Sequence, residues 1–186
     1  GISLVLLAGI IYSFIFGMGR FTESEREKED TATQAVKILF EMDTLVNEYT
    51  LNPSQRIAGQ WRDKHAELEN RLSTEIFENI PAEQELVDKM RQKVPMLKSS
   101  FEELAVVNER VVKSMDTEIV RNRLVGQLSE SGNRTVETAL LLTERLRVRE
   151  ARIQALLNSI GIIIVIIALS IGYFGSRVLI QNILSP

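Results

Sequence analysis

Residues Ala155 to Gly175, ALLNSIGIIIVIIALSIGYFG, form an apolar run without a single charge. At about 1.5 Å per residue such a run crosses the roughly 30 Å hydrocarbon core of a bilayer as one helix. No other feature constrains the chain so tightly, because lipid admits only backbones whose polar groups are satisfied internally. A second apolar run, Ile2 to Gly17 (ISLVLLAGIIYSFIFG), opens the sequence. Two spans are therefore expected: residues 1–19 as a first transmembrane helix and 153–175 as a second. The charged region between them, residues 20–152, leaves the membrane and returns to it, and residues 176–186 form an exit segment.

The first run has no basic flank before it and no small-residue cleavage site before Arg20, so it reads as an uncleaved span rather than a signal peptide. Orientation rests on Arg177, which stands beside the second span and puts the C-terminal side in the cytoplasm by the positive-inside rule. The region between the spans then faces the periplasm or the cell exterior. It holds all 25 acidic residues and every basic one except Arg177. That mildly acidic balance excludes a nucleic-acid partner, which needs a basic stripe. With no cysteine and one histidine, the chain has neither disulfides nor the donors of a thiolate or imidazole metal centre.

Helical periodicity runs through the whole middle region. Ala35, Leu39, Met42, Val46 and Tyr49 alternate spacings of four and three, the apolar seam of a helix in a bundle. With no Gly or Pro after Gly19 until Pro53, this helix is expected to continue the first span. Leu51-Asn52-Pro53-Ser54 makes a turn, since the residue before proline is pushed out of the helical region and Pro53 can open the next helix. The second helix carries Ile57, Trp61, Leu68, Leu72 and Ile76 and runs to about Glu78. Pro81 opens a third, with Glu83 and Glu85 in its first turn. Leu86, Met90, Val94, Leu97, Phe101, Leu104 and Val111 follow, and Pro95 is placed to kink it. The pattern loses phase near Lys113 to Thr117, where the last turn is expected. A fourth helix runs from about Glu118 through Leu124, Leu128, Ala139, Leu142, Leu146 and Ile153 into the second span.

No strand-like alternation competes anywhere. The expected fold is all-α: an antiparallel up-down-up-down four-helix bundle whose first and last helices continue into two transmembrane helices.

The exit segment ends in Ile183-Leu184-Ser185-Pro186, shortly after a span and Arg177. It resembles the start of a HAMP linker, the coiled-coil module that follows the last transmembrane helix of bacterial sensor kinases and chemoreceptors; the Ile-x-x-Pro element matches at Ile183 and Pro186. At the first turn, YTLNPSQRIAGQWRDKH resembles the corresponding turn in helical-bundle sensor domains of some bacterial HAMP-containing histidine kinases, through Tyr49, Leu51, Pro53, Ser54, Arg56, Gln60, Trp61 and His65. These resemblances imply a receptor fragment in a bacterial inner membrane, acting as a homodimer. They imply a signal passed from the bundle through the second span to a HAMP domain, and an enzyme beyond Pro186 rather than within these residues. A chemotaxis transducer, or a membrane-anchored helical subunit that binds a partner protein without sensing, would share the same features.

At equal helical rise, Trp61 and His65 lie level with Met42 to Val46, with Phe101 to Asn108 and with Ser131 to Thr135. Asn108 falls between Leu104 and Val111, and Ser131, Gly132 and Thr135 interrupt the stripe of the fourth helix. Small and polar residues at one level can leave a cavity with hydrogen-bonding groups, to which Arg56, Arg62 and Arg134 would bring charge for an anionic ligand. The same residues also serve a bundle without a ligand. Asn108 can fix register, Trp61 can anchor the core, His65 can make a single hydrogen bond, and small residues can let helices approach. In the second span Gly161, Gly172 and Gly175 are candidate soft points or close-packing sites for signal relay. The acidic residues fall on outward faces near Lys and Arg, as in Glu23-Ser24-Glu25-Arg26-Glu27-Lys28, which reads as a solvated surface. No nucleophile elbow, phosphate loop or His-Glu metal motif occurs, and no cofactor or catalytic residue is called for. The stimulus, whether a small molecule or a protein, is not written in the sequence.

Overall fold

The computed structural model describes residues 2–73, 77, 81–109 and 115–184. Its helices are α1 (Ile2–Leu51), α2 (Gln55–Leu72), α3 (Pro81–Glu109) and α4 (Met115–Leu184). Among the described residues there is no strand. Of the turn expected near Lys113 to Thr117, residues 113 and 114 lie outside the described set, with Ile76, Val111, the Asn79-Ile80 turn and Pro186, while Met115 to Thr117 already belong to α4, which begins before the expected Glu118.

The chain divides into two units, Arg26–Arg147 and the remainder, Gly1–Glu25 with Val148–Pro186. The first is a four-helix bundle. Every seam residue expected on α1 is buried in it, as are Ile57, Trp61, Leu68 and Leu72 of α2, Leu86 through Leu104 of the α3 seam, and Leu124, Leu128, Ala139, Leu142 and Leu146 of α4. Burial of apolar side chains on one stripe of each helix, at about 25 cal/mol per Å², is what holds such helices together.

The helix ends have local causes. Asn52 N–H donates to Glu48 O at 2.8 Å, and Pro53 has no N–H with which to continue α1. Ser54 then takes an extended backbone (φ −144°, ψ 146°), and its side chain accepts from Ile57 N–H, which is N-cap geometry. Pro53 therefore precedes the cap instead of opening α2. At the other end α2 stops at Leu72, short of the expected Glu78. Ser73 Oγ donates to Asn70 O, and Arg91 Nε reaches across from α3 to donate to Leu72 O at 2.7 Å. Carbonyls left over at a helix end are thus met by side chains.

One outward-face expectation is overturned. Glu25 and Lys28 are buried, 3% and 7% exposed, where the sequence pattern suggested solvent. They continue the spacing of Ala32, Ala35 and Leu39, so they stand on the inward stripe of α1. Within the second unit the Glu25 carboxylate lies 3.4 Å from Arg149 Nε of α4. A buried carboxylate facing a guanidinium loses hydration but keeps a partner.

The second unit also contains the apolar run of α4. Large apolar side chains there are half exposed or more: Ile162, Ile163, Val165, Ile166, Ile167 and Leu169 cover most of the helix circumference, and the stripe of Leu157, Gly161, Ile164 and Ala168 is half-buried. Among the described residues, α4 is the one helix long and apolar enough to cross a membrane.

Candidate functional site

An aromatic stack joins three helices of the bundle. Trp61 of α2 lies on Phe101 of α3, with centroids 4.0 Å apart and planes 7° from parallel. Tyr49 of α1 meets the same Phe101 at 5.3 Å, and His65 stacks on Trp61 from one turn along α2 at 5.4 Å. Trp61, Phe101, Tyr49 and His65 are each no more than 2% exposed. Burial, assisted by the negative field of Glu109, pushes the Tyr49 phenol above its ordinary pKa.

His65 Nε2 sits 2.9 Å from Val94 O, just before the in-helix Pro95. A carbonyl only accepts, so Nε2 carries the proton and donates. Nδ1 lies 4.0 Å from Glu69 Oε2. Trp61 Nε1 is buried with no hydrogen-bond partner among the described residues. Beside Trp61 is a gap of about 20 Å³ where all four helices meet: Leu39, Met42, Asp43 and Val46 of α1, Leu97 of α3, and Leu128 and Gly132 of α4. That is room for one water and for nothing larger. A Cβ added to Gly132 would find no atom within 4 Å.

The expected level of Met42 to Val46 with Trp61 is present at this gap, and the stretches expected on α3 (Phe101 to Asn108) and α4 (Ser131 to Thr135) are met at Phe101 and Gly132, with Leu97 and Leu128 one turn before them. Asn108 is half-buried, and its Nδ2 has no partner among the described residues. Thr135 is fully buried and donates to Ser131 O at 2.7 Å, a bond within α4.

The three arginines have different fates. Arg62 is held by Glu102 of α3 through paired bonds of 2.7 and 2.8 Å. The Arg62 hydrogen bond holds the Glu102 carboxyl below the usual carboxylate range. Arg134 pairs at 2.6 Å with Glu130, one turn back on the exposed side of α4. Arg56 is exposed and has no carboxylate partner among the described residues. It lines an open groove of about 570 Å³ between α1 and α2, with Glu41, Thr44, Leu45 and Glu48 opposite Gln60, Asp63 and Lys64. The sequence signal for this groove is two facing stripes at spacings of three and four, which the apolar pattern overshadowed.

Gly161, Gly172 and Gly175 lie in the exposed apolar run of α4, each with open space where a Cβ would stand. Ile183 falls in the last turn of α4, with its side chain outside the described set. Among the described residues no group of three or more His, Asp or Glu is placed to hold a metal ion. No protein-family model, curated protein or solved structure matches the chain.

Proposed function

We propose that this chain is the sensing and membrane-spanning portion of a bacterial two-component sensor histidine kinase, working as a homodimer in the inner membrane. The bundle faces the periplasm or exterior, and the C-terminal side lies in the cytoplasm. In this reading the bundle is antiparallel, up-down-up-down. The order of cross-links supports the antiparallel pairing of α2 with α3: Gln55 meets Glu109, Arg62 meets Glu102, His65 meets Val94 and Leu72 meets Arg91.

The observation that carries the proposal is the continuity of α4. One helix holds bundle-core residues Leu124 to Leu146 and also the exposed apolar run around Ile162 to Leu169. An apolar surface this large has no place in water; in lipid each such side chain gains roughly 1.5–3 kcal/mol. A helix without an internal proline is stiff enough to pass on a small shift. A stimulus that prefers one packing of the bundle biases α4, and α4 hands that bias to a HAMP helix opening at Ile183 and Pro186. Residues 1–19 supply the other span, so two subunits make a four-helix core in the membrane, where Gly161, Gly172 and Gly175 permit close approach.

Single cysteines from Ile160 to Tyr173, introduced into the full chain in native membranes, test the arrangement. Disulfide formation between subunits should peak every three to four positions. Uniform or absent cross-linking would refute the dimeric membrane core.

A further inference from the structure

We propose that the groove between α1 and α2 binds a cationic α-amino acid of the lysine type, an inference that rests on the receptor reading above and names its stimulus class. Charge selects the ligand. Among the groove's ionic groups, Glu41 is met by Lys64 at 2.7 Å and by Lys37 at 3.8 Å, and Lys64 also touches Glu67 at 3.2 Å, so both are consumed within the protein. What remains is one guanidinium, Arg56, and two carboxylates, Glu48 and Asp63. None of the three has an ion-pair partner among the described residues.

A complementary ligand carries one carboxylate and two cationic groups. Arg56 takes the carboxylate as a fork of donors, and Glu48 and Asp63 take the α-ammonium and the distal ammonium. Leu45 packs against the core from the groove's floor and offers apolar surface to a methylene chain. Thr44 Oγ1 donates to Phe40 O and so keeps its lone pairs for an incoming donor, while the Gln60 amide offers both donor and acceptor. The volume lies within the range of small-molecule sites.

Of the three candidate arginines, Arg62 and Arg134 are already paired within the protein, and Arg56 has no carboxylate partner among the described residues. The groove is built from the two helices that flank the Pro53 turn, so occupancy ties α1 to α2. A ligand bridging Glu48 and Arg56 stabilises one packing of that pair, the kind of differential contact a population shift requires.

The test is thermal unfolding of the full chain in detergent micelles with four probes at matched ionic strength. L-Lysine is compared with cadaverine, which lacks the carboxylate, with 6-aminohexanoate, which lacks the α-ammonium, and with L-alanine. Lysine should raise the midpoint most, since a ligand bound to the native state stabilises it by mass action. Arg56→Gln should weaken lysine binding about tenfold and leave cadaverine unchanged, while Asp63→Asn should weaken both. Equal shifts for lysine and alanine, or a lysine shift untouched by Arg56→Gln, would overturn the proposal. A failed lysine response with cross-linking still periodic along Ile160 to Tyr173 removes this ligand and leaves the receptor reading in place. Loss of that periodicity removes the receptor reading itself.

Discussion

Replacing Trp61 by Ala separates a core residue from a ligand-contacting one. Trp61 is 1% exposed, stacked face to face on Phe101 at 4.0 Å and flanked by His65. Removing a buried tryptophan costs about 3–5 kcal/mol, including the cavity left behind. The stack with Phe101 contributes about 0.5–1.5 kcal/mol of that loss. One term opposes it: Trp61 Nε1 is buried without an acceptor, so deleting it relieves a penalty of about 1 kcal/mol. The expected net cost is about 3 kcal/mol, a large part of the 5–15 kcal/mol typical of a domain. Trp61→Phe keeps a ring on Phe101 and removes the unsatisfied N–H, so it should cost no more than about 1.5 kcal/mol. Because Trp61 is the only tryptophan, unfolding should be followed by far-ultraviolet circular dichroism in urea rather than by fluorescence. A Trp61→Ala variant within about 1 kcal/mol of the native chain, or a Trp61→Phe variant as damaged as Trp61→Ala, would refute the reasoning.

Gly132→Ala should stabilise the bundle by about 1 kcal/mol through helix propensity, since a Cβ there meets no atom within 4 Å and adds no packing. Gly126→Ala on the exposed side of α4 has the same open space and should raise the melting midpoint by a similar amount; a Gly132→Ala midpoint below that of the unaltered chain would refute the assignment. The Arg62–Glu102 pair is about 40% exposed on each side, so screening limits it to about 0.5–1 kcal/mol. Because the Glu102 pKa is lowered on folding, that stabilisation is fully present above the unfolded carboxyl value near 4.5 and is lost as pH falls below it. Arg62→Gln should flatten the stability profile in that acid range and leave the slope at pH 6–8 unchanged; an altered slope near neutrality would refute the assignment.

Much of the bundle is legible in the sequence because its signal is a repeat. The α1 seam from Ala35 to Tyr49, and the described seam residues of α2 and α3, are buried as their spacing predicts. The same rule, applied to residue type as well as position, misplaces Glu25 and Lys28. Their charge suggests solvent while their spacing puts them on the inward stripe, and Arg149 across on α4 provides a counter-charge that no local pattern contains. The end of α2 is missed for a related reason: the donor to Leu72 O is Arg91, nineteen residues on. The level of the candidate cavity is found on α1 and α2, and on α3 and α4 it is met at Phe101 and Gly132, at one end of each expected stretch.

What the sequence determined by itself is the set of helices, their apolar stripes and the run from Ala155 to Gly175, all of which depend on backbone preference and periodic burial within one segment. The tertiary structure alone decided which polar groups are consumed by the fold. Arg62 is tied to Glu102, His65 to Val94 O and Arg134 to Glu130, while Arg56 faces an open groove. Two of those four outcomes depend on a partner some thirty or forty residues away, and a hydrogen bond of under 3 Å is set by how helices cross rather than by what either helix contains.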